Sequence, residues 1–205
     1  MTRRGGHANS LRVIGGQWRG RRLAFPDLPG LRPTPDRVRE TLFNWLAPVL
    51  PGARCLDLFA GSGALGIEAL SRGAAEVVFV ERQPQAVRAL RENLGRLNAQ
   101  GARVEAAEAL AWLRQPGTPF EIVLLDPPFG EGLLEPTCAA LDASGWLAET
   151  AWIYLEAEAT LERLPLPVRW TRYREKTAGA VTYRLARREM SALVPDPMLA
   201  SGHGG

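Results

Sequence analysis

The sequence predicts an α/β fold: a mostly parallel sheet with an antiparallel last strand, preceded by a short β arm. Three observations carry this. From Arg54 onward, short apolar runs alternate with helical stretches, the pattern of strand–helix–strand units wound into a parallel sheet by right-handed crossovers. Runs such as Val77-Val78-Phe79-Val80 and Ile122-Val123-Leu124-Leu125 are apolar throughout, as suits strands covered on both faces. The last two apolar stretches are separated only by Thr177-Ala178-Gly179, which leaves room for a hairpin turn and none for a crossover helix.

Element by element, Leu11–Phe25 reads as a hairpin or irregular arm. Leu11, Val13 and Ile14 precede Gly15-Gly16, and Trp18, Leu23 and Phe25 follow among arginines. Pro26, Pro29, Gly30 and Pro33 punctuate a loop. A helix starts at about Pro35, with Thr34 as its N-cap and Pro35 as its first residue. Val38, Leu42, Trp45 and Leu46 fall at helical spacing and mark its buried face, and Pro48, Pro51 and Gly52 end it. Strands are predicted at 54–59, 76–81, 102–106, 121–126, 151–157, 168–176 and 180–187. Helices are predicted at 63–72, 83–97, 107–114 and 133–143, with a short one near 160–164. The expected division is an arm and loop over 1–34, one domain over 35–188 and a frayed tail over 189–205.

Composition narrows the function. At 205 residues, 46% hydrophobic and 23% charged, the chain suits one globular domain and excludes wholesale disorder. No apolar run approaches the ~20 residues of a membrane span, and no apolar stretch follows Arg3-Arg4, so neither a span nor a secretory leader is expected. Two cysteines, Cys55 and Cys138, are too few for a disulfide framework or a zinc site. No metal is expected, and the compartment is expected to be the cytoplasm. The net charge of +3 hides an asymmetry: residues 1–39 carry +7, 40–168 carry −8 and 169–188 carry +6. Clustered cations are what a polyphosphate partner requires. The 24-to-1 excess of Arg over Lys suits phosphate contacts, but a GC-rich genome explains it better.

Between the first parallel strand and the next helix lies Cys55-Leu56-Asp57-Leu58-Phe59-Ala60-Gly61-Ser62-Gly63-Ala64-Leu65-Gly66. Its glycines formally spell the dinucleotide fingerprint, and Glu81, at the end of the following strand, is placed to bind ribose hydroxyls. Asp57 separates the possible ligands. A carboxylate four residues before Gly61 would repel a pyrophosphate, whereas S-adenosylmethionine carries an ammonium and a sulfonium and no phosphate. A nicotinamide-dependent reductase is thereby disfavoured. Tight helix–strand packing is the other use of such glycines, and capping of the following turn is the other use of Asp57.

The fourth parallel strand ends in Asp126-Pro127-Pro128-Phe129. Two prolines supply no N–H, so the segment is a rigid run of acceptors: the Asp126 carboxylate and nearby carbonyls. An exocyclic amine is a double donor whose lone pair is delocalised into its ring. Accepting both hydrogens frees that lone pair for in-line attack on a sulfonium methyl, with the protein supplying alignment and fixed dipoles. Phe129 is placed to stack on a base that has left its helix or loop. In isolation, stiffening prolines and a core phenylalanine would be the better reading. The glycine loop three strands earlier reverses that.

Segments 54–81 and 126–129 resemble the cofactor loop and amino-methylation motif of class I methyltransferases. From Arg12 to about Arg187 the chain resembles the bacterial RsmD family, which methylates a guanine N2 of 16S ribosomal RNA, at the position usually numbered 966. The distinctive stretches are 12–22 (RVIGGQWRGRR), 31–46 (LRPTPDRVRETLFNWL) and 56–66 (LDLFAGSGALG). Pro35 replaces a threonine frequent in the family. The resemblance implies a Rossmann-like, seven-strand methyltransferase sheet over 35–188, S-adenosylmethionine as donor and S-adenosylhomocysteine as product. It implies a cytoplasmic monomer acting on assembled or assembling 30S subunits. Thr34 would lie at the methionine end of the cofactor, and Glu108-Ala109 near the adenine; a helix-dipole role for Glu108 is as good a reading. Asp57, Phe59, Ala60, Gly61, Ser62, Gly63, Glu81 and Arg82 complete the cofactor set. Asp126, Pro127, Pro128 and Phe129 form the catalytic set. Arg12, Trp18, Arg19, Arg21, Arg22 and Arg32 would contact RNA, with a core position the alternative for Trp18. Trp45, Trp112, Trp146 and Trp152 fit the core, and neither His7 nor His203 is a candidate base. The rival readings are a DNA or RNA methyltransferase acting on adenine N6 or cytosine N4, and a catalytically silent RNA-binding module. An intact Asp126-Pro127-Pro128-Phe129 argues against the latter.

Overall fold

The computed structural model describes residues 9–161, 164 and 166–189. The arm is a hairpin: β1 (Asn9–Arg12) pairs antiparallel with β2 (Arg22–Phe25), Leu11 opposite Leu23. Helix α1 (Asp36–Leu46) follows. Then come β3 (Arg54–Asp57), α2 (Ala64–Ser71), β4 (Glu76–Glu81), α3 (Pro84–Arg96), β5 (Ala102–Ala106) and α4 (Ala109–Trp112). The chain continues through β6 (Phe120–Leu125), α5 (Leu134–Ala143), β7 (Leu147–Glu158), β8 (Trp170–Ala178) and β9 (Val181–Glu189).

The sheet has seven strands in the order β5-β4-β3-β6-β7-β9-β8. Strands β3 to β7 run parallel. β9 inserts antiparallel between β7 and β8, so the last strand alone is reversed, as the short connection at Thr177–Gly179 requires. The chain winds outward through β4 and β5, then returns across β3 to add β6. The carboxyl ends of β3 and β6 therefore meet at a switch point, the place where open α/β sheets bind ligands.

Local physics moved several predicted boundaries. The first parallel strand stops at Asp57, because Leu58 and Phe59 already turn. The predicted strand at 151–157 begins earlier, at Leu147, where the chain pairs with Phe120. The predicted helix at 107–114 shrinks to one turn. Thr34 is not the cap of α1: Pro35 holds that position with no side-chain bond, and the Thr34 hydroxyl is used elsewhere. Glu189 ends β9; the rest of the predicted tail and both histidines lie outside the described residues. Of the short helix predicted near 160–164, Thr160 is in a turn, Leu161 and Leu164 are not helical, and 162–163 lie outside the described residues.

Two apolar layers cover the sheet. One joins Leu42, Ile67, Phe79, Leu90 and Tyr154 beneath α1, α2 and α3. The other joins Val78, Trp112, Val123, Leu141 and Trp146 beneath α4 and α5. Trp45 and Trp152 are half-buried against the first layer. Trp18 is also buried in it, so its place is the core: it anchors the arm and does not offer a stacking surface to RNA.

A buried ion pair fixes the arm to the domain. Glu68, on α2, is fully buried and accepts from the Ile14 N–H (2.9 Å), the Gly15 N–H (2.7 Å) and Arg72 Nε (2.7 Å). Arg39, on α1, is 1% exposed and reaches Glu68 at 3.4 Å. Its other donors go to the Thr34 carbonyl (3.1 Å), the Arg12 carbonyl (2.8 Å) and Asp36 (2.6 Å). The guanidinium thus joins arm, loop and helix.

Breaking a buried, hydrogen-bonded pair by removing one partner commonly costs about 3–5 kcal/mol. Glu68→Ala should therefore lower the unfolding free energy by about that amount and open the arm to limited proteolysis between Arg12 and Arg22. A variant with a wild-type melting temperature and a protease-resistant arm would contradict this assignment.

Candidate active site

A cleft of about 870 Å³ opens over the carboxyl ends of β3, β4, β6 and β7. It is lined by Asp57 and the loop Phe59–Ser62, by Glu81 and Arg82, by Glu108 and Ala109, by Asp126–Phe129, and by Leu31–Pro35 from the segment before α1. Apart from Gly63, every residue the sequence assigned to cofactor or catalysis lines this one cleft.

The glycine loop is built as the sequence implied. Gly61 and Gly63 take φ of 52° and 79°, a region costly to residues with a Cβ. Gly66 serves packing: a Cβ there would stand 2.2 Å from the Phe79 ring. Asp57 is buried and accepts from the Gly66 N–H at 2.9 Å, so it caps the start of α2 while also lining the cleft. Burial raises its pKa to about 7; the Gly66 bond opposes the rise, and the charges of Asp126 and Glu81 add to it. Glu81 spans the loop, accepting from the Gly61 N–H (2.8 Å) and the Gln83 N–H (2.7 Å). Each oxygen keeps a further lone pair with which to accept. Glu108 accepts from the Ala111 N–H at 2.8 Å and caps α4 from the cleft wall. Arg82 bonds Glu131 at 2.9 Å across the mouth.

Asp126 follows β6. The Thr34 hydroxyl donates to it at 3.1 Å. Pro127 is buried, whereas Phe129 is 45% exposed, so the ring is not a core residue and stands free at the rim. The sequence reading missed Glu156. It lies on β7, beside the end of β6, is 4% exposed, and accepts from the Tyr154 hydroxyl at 2.6 Å. Burial raises the pKa of both Asp126 and Glu156, and the nearby Asp126 charge further opposes ionisation of Glu156. Nothing in an apolar strand run marks one acid as facing a cleft; only the sheet order places β7 against β6.

The predicted RNA-contacting arginines are exposed. Arg12 pairs with Asp36 at 3.1 Å, Arg32 lines the cleft, and Arg12 and Arg22 border a shallow depression shared with Pro33 and Thr34. Arg19 and Arg21 lie further along the arm.

A seven-strand sheet with one reversed strand, a glycine loop after its first parallel strand and an Asp-Pro-Pro-Phe segment across the switch point define a class I methyltransferase. The chain belongs within that class to the RsmD family: the family model described as Conserved hypothetical protein 95 matches residues 11–187. It is 55% identical over 182 residues to ribosomal RNA small subunit methyltransferase D of Escherichia coli K12, spanning 89% of this chain and 92% of that one. The protein of the same name from Haemophilus influenzae is 45% identical, with 85% and 92% covered. A solved structure of yhhF from Escherichia coli superposes with a TM-score of 0.84 at 52% identity, covering 88% of this chain and 99% of that one.

Asp57→Asn should keep the Gly66 bond and remove a buried charge. A carboxyl whose pKa is raised on folding destabilises the native state progressively as pH rises from about 4 to about 7. The melting temperature of the variant should therefore gain on wild type across that window and hold its lead above it. A difference that is flat with pH would contradict the raised pKa.

Proposed function

We propose that this protein transfers a methyl group from S-adenosylmethionine to the exocyclic N2 amine of a guanine in 16S ribosomal RNA. The carrying observation is Asp126-Pro127-Pro128-Phe129 in the same cleft as the Asp57 loop. The names of the relatives, ribosomal RNA small subunit methyltransferases, support ribosomal RNA as the substrate. The same reading places the work in the cytoplasm, on assembled or assembling 30S subunits, by a monomer. No helix among the described residues is long and apolar enough to cross a membrane.

The residues fit such a donor. Asp57 is a buried acid with one backbone donor and two further acids close enough to raise its pKa; a cation relieves that arrangement, and a phosphate would worsen it. When bound, the donor supplies an electrophilic methyl on a sulfonium. Asp57 and Thr34 would hold its amino-acid end, Glu81 its ribose hydroxyls, and Glu108 and Ala109 its adenine.

At Asp126 the carboxylate accepts an amine hydrogen, and the prolines leave no competing N–H. The Thr34 bond fixes the carboxylate orientation, which is the preorganisation such an alignment needs. Phe129, free at the rim, offers a stacking face to the extruded base. The choice of guanine N2 over adenine N6 or cytosine N4 follows from the resemblance to the RsmD family. Glu156, whose pKa burial and the Asp126 charge raise to about 8, stands near Asp126 as a protonated acid at neutral pH. Asp126 or solvent takes the proton that the methylated amine releases. Arg12, Arg19, Arg21, Arg22 and Arg32 would hold the RNA backbone at the rim.

Losing a preorganised contact to the reacting group commonly costs on the order of a hundredfold or more in rate. Asp126→Ala should lose methyl transfer to unmodified small-subunit RNA by that order, while calorimetry shows S-adenosylhomocysteine binding largely retained. Near-wild-type turnover would refute the role. In wild type the rate should fall at acid pH as Asp126 protonates. Glu156 is already protonated while Asp126 titrates, so Glu156→Gln should leave that limb in place; a limb moved to lower pH would show that Glu156 carries charge there.

A further inference from the structure

The outer strand of the sheet carries charge that the catalytic reading does not use. β8 is exposed at every position after Trp170. Arg169, Arg172, Arg174 and Lys176 all lie on or beside it, within a segment, 169–188, whose net charge is +6. Arg172 pairs with Glu175. Arg174 and Lys176 have no ion pair among the described residues, and the Arg174 guanidinium lies 5.0 Å from the centre of the Tyr173 ring. A register shift between Arg172 and Arg174 makes Tyr173 an extra residue in the strand. Its ring, 52% exposed, meets Trp152 edge-on at 4.9 Å, and Arg187 covers Trp152 at 5.3 Å.

The direction of the strand gives this edge a destination. Ala178 is in register with Val181, and Val181 with Glu158 at the end of β7. Val181 lines the cleft. The row of cations therefore runs along the sheet edge toward the catalytic mouth, on the opposite flank of the sheet from β5.

We propose that the β8 edge is a second RNA-docking surface, which holds the phosphate backbone of the substrate through Arg174 and Lys176 with Tyr173 beside them. It rests on the reading of the substrate as RNA. The cleft itself gathers Asp57, Glu81, Glu108, Asp126, Glu131 and Glu156 against Arg32 and Arg82, a balance of acid that repels a polyanion. RNA entering it needs cations on more than one side, and the arm supplies them on one. Charges and a bulge also guard exposed edge strands against pairing with another chain. A guard, however, has no use for a half-exposed tyrosine held by a tryptophan and flanked by arginine, whereas arginine beside an aromatic ring is a recurring surface for nucleic acid.

The test is the salt dependence of binding of the full chain to a small-subunit RNA fragment. It compares wild type with Arg174→Gln/Lys176→Gln and with Arg19→Gln/Arg21→Gln. Each lost phosphate contact removes roughly 0.7–0.9 from the slope of log K against log salt. The β8 pair should flatten the slope by about 1.5 and weaken binding at low salt at least as much as the arm pair, with S-adenosylhomocysteine binding unchanged. Unchanged affinity and slope in the β8 variant would overturn the proposal, and self-association of that variant without loss of RNA binding would mark the edge as a guard. If wild type and arm variant alike show no salt-dependent binding, the RNA reading itself fails and the proposal falls with it.

Discussion

The buried contact between Arg39 and Glu68 is the constraint on which the rest of the structure depends. Glu68 accepts from two backbone N–H groups of the arm, and Arg39 donates to the backbone carbonyls of Arg12 and Thr34. Through Thr34 this reaches the Asp126–Phe129 segment, because the Thr34 hydroxyl is bonded to Asp126. One network thus connects the basic arm, the glycine-loop helix and the acceptor motif. Removing residues 1–22 would strip Leu11, Val13 and Trp18 from the core and leave Glu68 without its arm donors. Point changes at the exposed arginines therefore separate charge from folding, and truncation does not.

The second organising feature is electrostatic. The switch point brings the ends of β3 and β6 together, and each end is followed or terminated by an acid. Asp57, Asp126 and Glu156 are all held in surroundings that resist ionisation. Acids so placed cost stability and mark functional sites more often than structural ones. On the proposed function, a cationic donor and an amine-bearing base would relieve the arrangement, while the phosphates attached to that base would stay outside. That division matches the placement of cations on the arm and on the sheet edge, with Arg32 and Arg82 the only ones among the described residues lining the cleft.

Much of this was legible in the sequence because it is contiguous. The Asp57–Gly66 loop and the Asp126–Phe129 segment each sit at a strand end, where period and punctuation reveal them. Residues whose role depends on strand order were hidden. Glu156 is one acid in an apolar run until β7 is known to lie beside β6. Thr34 has the local signature of a helix cap, and a longer-range bond to Asp126 took its hydroxyl instead. Trp18 sits among arginines, which set it with the RNA contacts and left the core as the alternative; its burial against α2 follows from arm packing that no local pattern decides.

The most direct test of the account is the chemical identity of the product nucleoside. Purified protein, S-adenosylmethionine and 30S subunits from cells lacking this enzyme would be incubated together, and the RNA digested and analysed by mass spectrometry. The account predicts one new N2-methylguanosine per 16S RNA. N6-methyladenosine, N4-methylcytidine or no methylated nucleoside would contradict it.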